Sequence, residues 1–120
     1  MGVLIDGVWR VEGFSTDEKG AFRRAPTTFH GRITAEGETG FKAEPGRYHL
    51  YVSYACPWAH RTLIFRALKG LDAVISLSVV DPYMGEDGWA FSDGPGCIPD
   101  FVNNAKYLRD IYLKAVPDYT

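Results

Sequence analysis

Between residues 47 and 80 the apolar positions change period twice. In RYHLYVSY, Tyr48, Leu50 and Val52 alternate with His49, Tyr51 and Ser53, which is the period of a strand with aromatic side chains on both faces. From Pro57 the pattern turns helical. Ala59, Leu63, Ala67 and Leu68 fall on one side with Ile64 beside them, and His60, Arg61 and Arg66 lie elsewhere on the wheel. Pro57 suits the first helical position, where its N–H would be unpaired anyway, and Lys69 and Gly70 suit the end, so a helix is predicted over 57–69. AVISLSVV then reads as a β-branched strand closed by Asp81-Pro82. Strand, helix and strand with short joints make a βαβ unit, and its two strands should run parallel.

The patterning on either side is weaker. In residues 1–46 the apolar residues Trp9, Phe14, Phe22, Phe29, Ile33 and Phe41 come singly among Gly, Thr, Glu and Lys, so this stretch reads as an irregular arm that wraps the body. Residues 81–99 form a long loop rich in Gly, Pro and Asp, of the kind that tends to carry function. A second helix is predicted from a cap at Asp100 to about Lys114. Phe101, Ala105, Leu108 and Tyr112 form its apolar stripe, and Pro117 stops it. The architecture is therefore α/β: an arm over 1–46, then βαβ plus one helix over 47–120.

The 120 residues suffice for one domain, and 46% apolar against 23% charged residues is a globular composition. Thirteen basic and fifteen acidic residues leave a net charge of −2 with no basic block, which argues against nucleic acid as a partner. No apolar run reaches the roughly 18 residues that span a membrane. MGVLIDGVWR lacks the pattern of a signal peptide, and Asp6 stands where a myristoylation motif wants Ser or Thr. Two cysteines without an export signal suit a reducing compartment, hence a cytoplasmic location and two free thiols rather than a Cys56–Cys97 disulfide.

Cys56 is the candidate for chemistry. It ends a strand and precedes the first helical residue, where unpaired N–H groups and the helix dipole favour a thiolate over a thiol. His60 and Arg61 lie about one turn further on. The motif holds a single sulfur, since position 59 is Ala rather than the second Cys of a C-x-x-C pair, so a mixed disulfide formed here needs an outside thiol to resolve it. In the cytosol that thiol would be glutathione. A lone cysteine is more often a core residue, but a strand–Cys-Pro–helix junction places the sulfur at a helix start facing a loop. A metal site would need more ligands than Cys56 and His60, so none is expected. A Cys–His pair with His30, His49 or His60 is a weaker alternative. Cys97, in PGCIP, reads as incidental or as a resolving thiol. Trp89, in GEDGWAFSDG, could hold a ligand with its indole or merely pack the loop.

RYHLYVSYACPWAHRTLI, KGLDAVISLSVVDPYMGEDGWAF and PGCIPDFVNNAKYLRDIYLKAVPDYT resemble the glutathionyl-hydroquinone reductases, the Xi class of the glutathione transferase superfamily. The opening GVLIDGVWR resembles them too, and CPWAHR after a YHLYVS strand is a specific signature. The resemblance implies a partial thioredoxin-like fold over 47–120, with a C-terminal helical domain absent. It implies glutathione as co-substrate, a glutathionylated aromatic substrate, Cys56 as the catalytic and glutathione-bearing thiol, and Trp89 as a glutathione-binding residue. It implies a homodimer for a full-length member. Family members continue past PDYT into a T-V-P-V-L strand, so the chain is expected to be a fragment with little activity alone. An Omega- or glutaredoxin-like thiol transferase, or a non-catalytic remnant that only binds a partner, are the alternatives.

Overall fold

The computed structural model describes residues 1–11, 16–23 and 26–120; Phe14 of the arm lies outside them. The elements in chain order are β1 (Val3–Ile5), β2 (Val8–Arg10), β3 (Tyr48–Val52), α1 (Pro57–Leu68), β4 (Ile75–Val79), β5 (Met84–Gly85), β6 (Gly88–Trp89) and α2 (Leu108–Ala115).

The βαβ unit is present: β3 and β4 pair in parallel, with Tyr48 opposite Ile75 and Val52 opposite Val79. Ser78, Val79 and Val80 are fully buried and Val52 is nearly so, which puts the small core at the C-terminal ends of these two strands, where α1 begins. Helix α1 meets the rest of the fold through half-buried Ala59, Leu63 and Arg66, whereas Leu68 is 76% exposed. Arg66, placed away from the apolar stripe by its charge, is in fact a hinge pin. Its Nε donates to the Ile75 carbonyl at 2.9 Å, and Nη1 meets the Asp72 carboxylate at 2.6 Å, tying the last turns of α1 to the start of β4.

The other face of the sheet carries a polar network. His49 lies between the hydroxyls of Ser76 (2.6 Å) and Ser78 (2.8 Å), and Ser78 donates to the Pro99 carbonyl. The Tyr51 hydroxyl donates to Asp100 at 2.9 Å and accepts from the Asn103 amide at 2.8 Å. Lys114 of α2 reaches the Asn103 side-chain oxygen at 2.6 Å. Residues 97–104 and α2 are thereby hung on the sheet.

Two expectations change. The helix predicted from Asp100 starts only at Leu108. Asp100 is 4% exposed and does cap a turn, but its carboxylate takes the N–H groups of Val102, Asn103 and Ala105, and Asn104 enters the left-handed region at φ 54°. Asn103-Asn104 is poor helix sequence, and a side chain that satisfies three nearby amides stabilises the turn over the helix. Phe101, assigned to the apolar stripe, is left 64% exposed.

The arm, read as irregular, opens instead with the β1–β2 hairpin. Asp6 (φ 49°) and Gly7 (φ 76°) form the two-residue turn whose twist suits a hairpin. The turn is docked on the chain's other end. The Gly7 N–H donates to the Tyr119 carbonyl at 3.0 Å, and a Cβ on Gly7 would collide with the Pro117 carbonyl oxygen. Gly7→Ala therefore combines positive-φ strain with a backbone clash. We expect it to cost about 2 kcal/mol or more, read as a lowered urea midpoint with unchanged slope.

Candidate active site

Buried Ser53 makes the turn that carries β3 into α1. Its hydroxyl accepts the Ala55 N–H at 3.2 Å, and its carbonyl accepts the Cys56 N–H at 3.1 Å. Cys56 is the N-cap residue of α1, with extended backbone (φ −94°, ψ 115°) and Pro57 next to it. Its carbonyl already accepts the His60 N–H at 3.1 Å, the first bond of the helix. The residue is half-buried. The cysteine side chain makes no capping hydrogen bond to the first turn. The sequence expectation that those amides serve the sulfur thus reduces here to position at the positive end of a helix of 12 residues with no acidic residue in its first turn.

His60 and Arg61 are exposed. The Arg61 guanidinium lies over the Trp58 ring at 5.3 Å. Cys97, like Cys56, is a free thiol. It sits in a tight loop where the Ser92 hydroxyl reaches its sulfur at 3.4 Å and the Asp81 carboxylate at 2.8 Å. The Tyr83 N–H and the Ser92 hydroxyl hold the Asp81 carboxyl below the usual carboxylate range. No helix starts at Cys97, and it has a carboxylate as a close neighbour.

Trp89 lies on β6, opposite Met84 of β5. Ala90 bridges to Tyr107 and the Phe91 N–H donates to the Lys106 carbonyl, so the strand bearing Trp89 is fixed from both sides. The indole lines an open, largely apolar cavity of about 1290 Å3 together with Leu4, Ile5, Leu108 and Tyr112. Cys56 is not among the residues lining that cavity. The Tyr112 ring lines the cavity as well. Tyr112 is 39% exposed, yet desolvation around the hydroxyl raises its pKa above the usual tyrosine value, with Tyr119 and Cys56 adding to the shift. Sequence patterning placed Tyr112 only on an apolar stripe; the signal for more was its hydroxyl on an otherwise apolar face. Phe29 and Tyr119 stack at 5.5 Å and pack against it, at 6.1 and 5.0 Å respectively. Among the described residues no group of three or more His, Cys, Asp or Glu side chains could hold a metal ion. Nor, among them, is any helix long and apolar enough to cross a membrane.

A part-exposed cysteine at a helix start, in a chain that also carries an open cavity with aromatic residues in its lining, is suited to thiol exchange with a ligand that has both a sulfur and an apolar part. No family model matches the chain. The chain is 52% identical over 121 residues to the glutathionyl-hydroquinone reductase PcpF of Sphingobium chlorophenolicum, over 100% of this chain and 37% of that protein. It superposes on a Xi-class glutathione transferase from Natrialba magadii with a TM-score of 0.84 at 51% identity, over 98% of this chain and 35% of that one. YqjG, a glutathione transferase homologue of Escherichia coli K-12 solved with glutathione bound, matches with a TM-score of 0.73 at 47% identity, again over 98% and 35%. The chain thus spans little more than a third of the length of these relatives.

Proposed function

Since this chain corresponds to an N-terminal portion of the glutathionyl-hydroquinone reductases, the Xi-class glutathione transferases, with a partial thioredoxin-like α/β fold, we propose that it carries the thiol half of that chemistry. Cys56 is the nucleophile. Its thiolate attacks the sulfur that joins glutathione to an aromatic ring. The S–C bond breaks, its electron pair and a proton go to the ring carbon, and a hydroquinone leaves. Cys56 is left in a mixed disulfide with glutathione. A second glutathione thiolate attacks that disulfide, releasing oxidised glutathione and the Cys56 thiolate. The two electrons that reduce the ring carbon come from the two glutathione sulfurs.

The observation that carries this reading is the place of Cys56: a half-buried cysteine at the N-cap of α1, one residue ahead of Pro57, with no second cysteine in the motif to resolve it. Trp89 holds glutathione from the cavity wall, which Tyr112 also lines. The substrate's aromatic part suits the apolar lining. No resident metal or cofactor takes part in this scheme, and glutathione enters as co-substrate.

A single-turnover experiment tests it. Mixed with a glutathionyl-hydroquinone, the chain gains one glutathione at Cys56 by intact mass and peptide mapping, and releases an equal amount of hydroquinone. An adduct from a small glutathione mixed disulfide, with the thioether untouched, would reassign the site to general thiol transfer. No adduct from either would reduce it to a binding remnant.

A further inference from the structure

The β5–β6 turn that presents Trp89 is gripped by two residues far from it in sequence. The Trp9 indole N–H donates to the Glu86 carbonyl at 2.9 Å. The Trp9 ring lies so close to Gly88 that a Cβ there would come to 2.9 Å from it. From the other side, Arg109 in the first turn of α2 donates through Nη1 to the Asp87 carbonyl at 3.0 Å, and its Nη2 pairs with the Asp87 carboxylate at 3.0 Å. The guanidinium itself is sandwiched, 4.7 Å from the Trp9 ring centre and 4.3 Å from that of Tyr107. Only 17% of its side chain is exposed.

Asp87 is more than half exposed, so the ion pair alone would contribute little. The stacking changes that weighting. A planar guanidinium between two rings has already lost its rotamer freedom, and its donors are aimed before they meet Asp87. The main-chain carbonyls of Glu86 and Asp87, the two residues at the tip of the turn, are each held by a side chain from a different element. Trp89 follows two residues later and faces the cavity that Trp9 and Arg109 also line.

We infer that Arg109, clamped between Trp9 and Tyr107, is a positioning residue for Trp89, and that the β1–β2 hairpin thereby belongs to the glutathione-binding apparatus. The inference rests on the role proposed above for Trp89. It requires that loosening the clamp weakens glutathione binding without touching the reactivity of Cys56.

The test uses the chain labelled with 5-fluorotryptophan, whose three 19F resonances are assigned by single Trp→Phe variants. Glutathione is the probe ligand. In Arg109→Gln the Trp89 line shifts or broadens, the Trp58 line stays in place as a control for folding, and glutathione binds on the order of tenfold more weakly. The alkylation rate of Cys56 is unchanged. Arg109→Lys keeps the charge but not the planar stack, and gives an intermediate loss. Trp9→Phe removes the N–H to Glu86 and the far edge of the indole against Gly88, and also moves the Trp89 line. If Arg109→Gln fails to fold, Arg109→Lys and Trp9→Phe carry the test. An unmoved Trp89 line and unchanged glutathione affinity in these variants overturn the inference. If the parent chain binds no glutathione, the functional reading falls separately, and the Trp89 line in the variants still decides whether the clamp positions the indole.

Discussion

With Cys56 replaced by serine, the chain forms no glutathione adduct and releases no hydroquinone from a glutathionyl-hydroquinone; the loss is at least about 10^3-fold. With Cys97 replaced by serine, both signals keep the parental rate. The difference follows from the two environments. Cys56 caps a 12-residue helix at its positive end and stays partly open to solvent. Cys97 shares the Ser92 hydroxyl with Asp81, whose oxygen is the closer acceptor at 2.8 Å against 3.4 Å, so the proton that could support a sulfur anion is committed to a carboxylate. Cys56 stands at the positive end of α1, and no helix starts at Cys97. Serine at 56 keeps the backbone junction and can cap the helix, so the variant should fold at least as well as the parent. An adduct that persists in Cys56→Ser and vanishes in Cys97→Ser would exchange the roles of the two thiols.

Replacing Asp100 with alanine lowers stability by about 3 kcal/mol, seen as a large drop in urea midpoint. The carboxylate is 4% exposed and serves four donors: the N–H groups of Val102, Asn103 and Ala105 and the Tyr51 hydroxyl. Alanine strands all of them at once in a poorly hydrated place. Asp100→Asn keeps one acceptor oxygen and loses less. Burial pushes the Asp100 carboxyl up, but the hydrogen bonds from Asn103, Ala105, Tyr51 and Val102 outweigh it and hold the group below its ordinary value. A depressed carboxyl contributes stability that is complete above the unfolded-state value near 3.9 and is lost as pH falls through the lower folded value. His49 adds a loss at milder acidity. Desolvation lowers its pKa despite the Asp100 charge, so below the ordinary histidine value the unfolded chain takes up a proton that the folded one resists. The parent chain should therefore weaken below about pH 6.5 and again below about pH 4. Asp100→Asn should reduce the second loss to the part that belongs to Asp81, whose carboxyl is also held low; if the loss persists unchanged, the four-donor account of Asp100 is wrong. The effect reaches the site, because the turn capped by Asp100 leads to Lys106 and Tyr107, which pair with the strand bearing Trp89.

The parts of the fold governed by local pattern were legible. Alternation in RYHLYVSY, a proline at the first position of α1 and a β-branched second strand were enough for the parallel βαβ unit. The location of Cys56 at a helix start followed from the same three signals. The β1–β2 hairpin has a local signal too, Asp6-Gly7 between Leu4-Ile5 and Val8-Trp9, but strands of three residues leave almost no period to support it. The delayed start of α2 was harder. An aspartate before an apolar stripe signals a helix cap, and it takes Tyr51, 49 residues away, together with Asn104 in the left-handed region, to turn that cap into a closed turn. Arg66 and Arg109 were hidden for a common reason. A helical wheel assigns a charged side chain to solvent, whereas a guanidinium with carbonyls and a carboxylate in range can be half-buried. The Trp9 contact to Glu86 spans 77 residues and no periodicity carries it.

The central claim is that the start of α1 makes Cys56 the reactive thiol of this chain, and the competition between its two cysteines for a limiting amount of iodoacetamide tests it most directly. At pH 6.5, peptide mapping should find Cys56 alkylated on the order of tenfold faster than Cys97. Equal rates at pH 6.5, or faster labelling of Cys97, would contradict the account.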